Sequence, residues 1–141
     1  MADRGLTFVD TNVLVYAHDR SDAHKHLIAQ GVLEDLWQRR SGSLSTQVLQ
    51  EFYVVATRKF DPPMRGSEAR EVVALYGEWD LIEVDVALIL SASKLGERHQ
   101  ISFWDALIVE AAGRSGAARL LTEDLQHGRR IAGITVANPF V

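Results

Sequence analysis

Apolar and polar positions along this chain of 141 residues follow two alternating periods. Short apolar runs without helical spacing predict strands over 6–9, 43–45, 81–84, 119–121 and 134–136. Between them, apolar residues recurring at i, i+3 and i+4 predict helices. The first comes in two pieces, 13–17 and 24–40, and others follow over 47–60, 68–77, 86–98 and 103–114. In the 47–60 helix, Val48, Phe52 and Val55 with Leu49, Tyr53 and Ala56 form one broad apolar face. Pro62-Pro63 marks a loop too short to be a domain linker. Strands alternating with helices imply an α/β fold, a three-layer α/β/α sandwich around a central, mostly parallel sheet. Ligands of such folds gather beyond the carboxyl ends of the strands.

Composition narrows this picture. With 47% hydrophobic residues, 24% charged residues and 3 Pro, the chain is expected to form a single domain over 1–141 with its own core. The absence of Cys excludes disulfides, thiolate zinc sites, iron–sulfur clusters and cysteine nucleophiles, and it fits a reducing cytoplasm. The N-terminus, with Asp3 and Arg4, has no apolar stretch of the signal-peptide kind. The apolar run 86–90 is far short of the ~20 residues that span a bilayer. A soluble, cytoplasmic protein without a membrane segment is expected. The net charge of −4, from 15 basic and 19 acidic residues, argues on its own against a nucleic-acid binder.

Four acids change that inference. Asp10 directly follows the first predicted strand, and Asp124 follows the 119–121 strand by three residues. Both are expected at the carboxyl edge of the sheet. Glu51 falls about 60° from Val48 and about 40° from Val55 on its helix, beside the apolar face. Asp105 lies among Ile108, Val109 and Ala112 in a helix nearly free of charge. Each acid also has a plain structural explanation. Asp10 could open an Asx-turn or cap a helix, and Asp124 could be a turn residue. Glu51 could be half exposed, its methylenes covering the core, and Asp105 completes a capping box with Ser102. As a set they point to metal binding, because clustered carboxylates repel and hard divalent cations relieve the repulsion.

The stretches Phe8-Val9-Asp10-Thr11-Asn12-Val13-Leu14-Val15-Tyr16, Ile101-Ser102-x-x-Asp105-Ala106 and Leu120-Leu121-Thr122-Glu123-Asp124-Leu125-Gln126-His127-Gly128, together with the Glu51 helix, resemble the PIN domain. The likeness is greatest to VapC-type toxins of toxin–antitoxin pairs, and the ending Asn138-Pro139-Phe140 shares it. The resemblance implies a Mg²⁺- or Mn²⁺-dependent endoribonuclease whose metal-binding, catalytic acids are Asp10, Glu51, Asp105 and Asp124. Asn12 and Thr122 match supporting polar positions, and Glu123 competes with Asp124 for the fourth place. It further implies an RNA substrate, a small antitoxin partner whose apolar helix lies in a groove of this chain, and a homodimer. Metal ions held by carboxylates supply what phosphodiester hydrolysis needs: an activated water and a stabilised transition-state charge. The four acids equal the whole net charge of −4, so two divalent ions would bring it to zero.

Other readings are weaker. Asp10 as an aspartyl-phosphatase nucleophile lacks the second Asp of Asp-x-Asp, since Asn12 stands there. A housekeeping RNA-processing nuclease and a non-catalytic interaction module are the alternatives within the family. His18, His24 and His26 match no common zinc spacing and read as a hydrated helix start. Trp104 could stack a base, but its helical phase predicts core packing. His127 reads as a turn residue. Arg39, Arg40, Arg58, Lys59, Arg65, Arg129 and Arg130 are candidate phosphate contacts or plain solvated charges. Leu33, Leu36 and Trp37 are candidates for the partner groove or for the core.

Overall fold

The structure is a computed structural model that describes residues 5–141. Residues 1–4, including Asp3 and Arg4 of the N-terminal reading, lie outside the described residues. The described chain runs β1 (Thr7–Val9), α1 (Thr11–His18), α2 (Ala23–Arg39), β2 (Gly42–Ser45), α3 (Thr46–Arg58), α4 (Gly66–Tyr76), β3 (Asp80–Ile82), α5 (Val86–His99), α6 (Phe103–Ser115), β4 (Arg119–Leu121), β5 (Arg130–Ile131) and β6 (Ile134–Ala137). The strands form one sheet in the order β3-β2-β1-β4-β6-β5. All pairings are parallel except β5–β6, a short antiparallel hairpin at one edge.

Local chemistry sets the element ends. Ser45 caps α3 by accepting from Val48 N–H at 3.4 Å, and Ser102 caps α6 by accepting from Asp105 N–H at 3.0 Å. Gly116, at φ 81°, ends α6 in the left-handed conformation that glycine adopts without strain. β1 and β2 are buried throughout, as central parallel strands must be. Helices α1 to α4 pack on one another, with α2 and α3 reaching β2, while α5 packs on α6 and α6 lies along the sheet. Phe8, Leu44 and Leu120 from the strands, and Leu14, Phe52 and Leu88 from the helices, are fully enclosed in the core between them.

Two details differ from the sequence reading. β5 was not expected, because two residues are too few to show a period. β3 begins earlier than predicted and stops at Ile82. Leu33 and Leu36 are core residues, whereas Trp37 is 41% exposed and meets Tyr76 and Trp79 edge-on or tilted. Among the described residues no helix is long and apolar enough to cross a membrane.

The topology creates one special place. From β1 the chain steps to β2 and β3 on one side, then returns to lay β4 against the other side of β1. The carboxyl ends of β1 and β4 therefore border the crevice where the strand order reverses, the usual ligand position in an open α/β sheet.

Candidate active site

Register brings the strand-end residues together. Val9 pairs with Leu121, and Asp10 N–H donates to the Leu121 carbonyl at 3.0 Å. The next residue on each strand is thus Asp10 or Thr122. The Thr122 hydroxyl donates to Asp10 Oδ2 at 2.8 Å, and Thr11 N–H donates to Oδ1 at 2.7 Å. Asp10 is therefore both the cap of α1 and a buried acid at the crevice floor. Asn12, in the first turn of α1, spans the gap. Its Nδ2 lies 3.1 Å from Thr122 Oγ1, 3.1 Å from Asp124 Oδ2 and 3.5 Å from Asp10 Oδ2. Asp124 N–H also donates to Thr122 Oγ1 at 3.0 Å.

Glu51 approaches from α3. Its Oε1 accepts from the Thr11 hydroxyl at 2.5 Å and its Oε2 from Gln47 Nε2 at 3.2 Å. Asp105 sits in the first turn of α6, where the helix dipole favours a negative charge. The charges of Asp124 and Glu51 reach both Asp10 and Asp105. Four elements thus deliver four carboxylates to one crevice, and among the described residues no Lys or Arg forms an ion pair with any of them.

The consequence is electrostatic. Burial pushes the Asp10 carboxyl up from 3.8 to about 7, against the opposing hydrogen bonds of Thr122 and Thr11, and the charges of Asp124 and Glu51 push it further the same way. Asp105 is also raised, first by burial and then by the charges of Asp124 and Glu51, with Ser102 opposing. Among the described residues no three His, Cys, Asp or Glu side chains form a ready-made metal cage. Mg²⁺ keeps several waters and takes only one or two protein carboxylates besides substrate phosphate. The donors are all hard oxygens, the preference of Mg²⁺ and Mn²⁺, and they fit such a cation. Beside the acids an open cleft of about 690 Å³ is walled by Val15, Val54 and Val55, with Asn12, Glu51 and Asp124 on its rim.

Glu123 turns away from this crevice. It accepts from Tyr16 Oη at 2.9 Å and pairs with Lys25 at 3.0 Å. Lys25 also lies over the rings of Tyr16 and Phe140, at 4.8 and 5.5 Å. The Asn138-Pro139-Phe140 ending thus packs beside the site rather than in it. Trp104 corrects the expectation of core packing: it is 63% exposed and contacts Phe103 edge-on at 5.5 Å. It shares the phase of buried Leu107, Ile108 and Ala111, so position along α6, not phase, sets its exposure. His18 is half-buried and packs edge-on against Phe52 and Tyr76 rather than standing as a solvated helix-start residue, and His26 Nδ1 lies 2.8 Å from the Tyr16 carbonyl. His127 Nδ1 accepts from Asn138 N–H at 2.9 Å. Arg39 and Arg65 pair with Asp35 and Glu68 on the surface, and Arg129 donates to the His99 carbonyl. Sequence reading missed the contacts of Thr11 and Gln47. The one available signal was spacing, Gln47 standing one turn before Glu51.

Comparison with solved structures gives relatives of the same fold. VapC20 of Mycobacterium tuberculosis, described as a toxin that cleaves the sarcin–ricin loop, is 24% identical with a TM-score of 0.63, over 81% of this chain and 86% of that one. A toxin–antitoxin complex from Klebsiella pneumoniae is 17% identical with a TM-score of 0.69, over 94% and 97%. DNA-bound VapBC from Salmonella typhimurium is 18% identical with a TM-score of 0.65, over 95% and 98%. A comparison with curated proteins finds no match. The PIN domain family model matches residues 7–133, which include all four crevice acids and the strands that carry two of them, and the chain belongs to the PIN domain family.

Proposed function

We propose that this chain is a Mg²⁺- or Mn²⁺-dependent endoribonuclease, the toxin of a type II toxin–antitoxin pair, acting as one domain in the cytoplasm. The observation that carries the reading is the crevice of four carboxylates, none ion-paired to a Lys or Arg among the described residues, at the switch point of a PIN fold. Asp10, Asp105, Asp124 and Glu51 would hold the cation. When bound, the ion supplies charge neutralisation for the scissile phosphate and a water acidic enough to attack near neutral pH. The protein's own part is positioning. Asn12 spaces Asp124 from Asp10, Thr122 and the Thr11 N–H fix the two oxygens of Asp10, and the Thr11 hydroxyl turns Glu51 toward the crevice. Burial holds the proton on Asp10 up to about pH 7, so a cation held there would have to displace that proton below this pH.

The apolar wall of Val15, Val54 and Val55 beside Glu51 and Asp124 suits an antitoxin helix that brings a basic residue to the carboxylates. A homodimer completes the proposal, on the VapC resemblance. The test is cleavage of total RNA by purified protein with Mn²⁺, with EDTA as control. Cleavage that needs Mn²⁺ and disappears in Asp10→Asn is expected. No cleavage by well-folded protein, together with unimpaired bacterial growth on expression alone, would move the assignment to a non-catalytic module. Growth unaffected by the protein encoded directly upstream, despite Mn²⁺-dependent cleavage, would point to housekeeping RNA processing.

A further inference from the structure

Gln47 is a buried polar residue at the margin of the apolar face of α3. It is 6% exposed, buried like Val48 and Leu49, the next two residues in sequence. Its Nε2 donates to Glu51 Oε2 at 3.2 Å and points to the Trp104 carbonyl at 3.5 Å. Its Oε1 is buried with no hydrogen-bond partner among the described residues. Turning the amide over does not help, because it would set the carbonyl against a carboxylate and another carbonyl, both acceptors. For packing alone, a Met or Leu of similar size would serve better, since it leaves no orphaned acceptor. What the amide does uniquely is connect. Glu51 lies on α3, and Trp104 directly precedes Asp105 on α6. With the Thr11 hydroxyl on Oε1 and Gln47 on Oε2, the Glu51 carboxylate is held on both oxygens.

We propose that Gln47 is a positioning residue that ties Glu51 to the first turn of α6 and so sets the separation of Glu51 and Asp105 for cation binding. The inference rests on the metal-dependent reading above. Groups that hydrogen-bond a ligating carboxylate fix its orientation, and their loss typically costs 10–100-fold in metal affinity. A residue kept for its packing shows the opposite pattern, in which stability falls and metal affinity follows only through unfolding.

The test measures Mn²⁺ affinity by titration calorimetry and melting temperature in EDTA for wild type, Gln47→Met, Gln47→Leu and Asp10→Asn. Both Gln47 variants are expected to bind Mn²⁺ roughly 10–100-fold more weakly than wild type, with a melting temperature in EDTA equal to or above that of wild type. Wild-type affinity in both variants overturns the inference while leaving the metal site intact. Weaker binding accompanied by a lower metal-free melting temperature also overturns it, in favour of a packing role. A wild-type protein that binds no Mn²⁺, or binds it as tightly as Asp10→Asn does, overturns the functional reading and this inference together.

Discussion

Asp10→Asn should make the metal-free protein more stable while destroying the function proposed for it. Asp10 is 5% exposed and its carboxyl is raised from 3.8 to about 7, chiefly by burial. At 1.36 kcal/mol for each tenfold change in proton affinity, keeping Asp10 ionised in the folded state costs about 4 kcal/mol above pH 7. The sign follows from linkage. The folded pKa lies above the unfolded one, so the stabilising contribution is complete below about 3.8 and is lost as pH rises to 7 and beyond. Asn removes the charge but not the shape. Its carbonyl still accepts from Thr11 N–H, while its amide replaces the oxygen that accepts from Thr122 and Asn12. Losing those bonds returns about 1–3 kcal/mol. A net gain of about 1–3 kcal/mol at pH 8 remains, a rise in melting temperature of roughly 3–9 °C for a chain of this size. The assay is thermal and urea unfolding of both proteins in EDTA at several pH values. The gap between variant and wild type should widen by about 2–3 kcal/mol from pH 5 to pH 8. Mn²⁺ at 100 times its dissociation constant should then raise wild type by about 2.7 kcal/mol and leave the variant far less affected. A variant less stable than wild type at pH 8 in EDTA, or a gap that ignores pH, would refute the buried-charge reasoning.

Three further outcomes are expected. In Asp105→Asn the cap of α6 survives, because the Ser102 hydroxyl accepts from the backbone N–H of residue 105; RNA cleavage should be lost while stability changes by no more than about 1 kcal/mol from the weakened dipole interaction, as read by urea unfolding. Asp124→Asn should abolish cleavage, whereas Glu123→Gln should keep it and cost only about 0–1 kcal/mol, because Glu123 serves the partly exposed Lys25–Tyr16 cluster; parallel RNA cleavage and melting assays separate the two, and greater damage from the Glu123 change would reverse the assignment. Gly42→Ala should destabilise by about 1–3 kcal/mol in urea unfolding, because a Cβ there would lie 2.3 Å from a ring carbon of Trp79, which Trp37 and Tyr76 hold in place.

Much of the molecule was legible because its strands and helices differ in period. All six helices were expected within a few residues of their positions, and β4 was expected over the residues it occupies. Asp10 and Asp124 were placed at the sheet edge by simple adjacency to strands. Their approach to each other was not legible, since it depends on β1 pairing with β4, across more than a hundred residues. Trp104 shares the helical phase of buried Leu107, Ile108 and Ala111 yet is 63% exposed, because phase alone does not say which turn of a helix is covered. Gln47 was passed over because polar residues at the margin of an amphipathic helix are ordinary until their partners are known. Glu123 and Asp124 stand side by side in sequence, and their directions are told apart only by tertiary partners, Lys25 and Tyr16 for Glu123 and Asn12 for Asp124.

The strand order also governs when the crevice can exist. β1 is made from residues 7–9, yet one of its two flanks stays open until residues 119–121 have been added. β4 in turn needs β6 from the last eight residues of the chain on its outer side. Contacts this distant in sequence form late, because the intervening chain must be closed before they return any energy. On a ribosome, the growing chain would carry Asp10, Glu51 and eventually Asp105 on elements not yet gathered around a common centre, with Asp124 still to come. In a chain assembled in this order the four acids share one crevice only after β4 has been laid beside β1, so whatever that crevice does is withheld until the sheet is nearly whole.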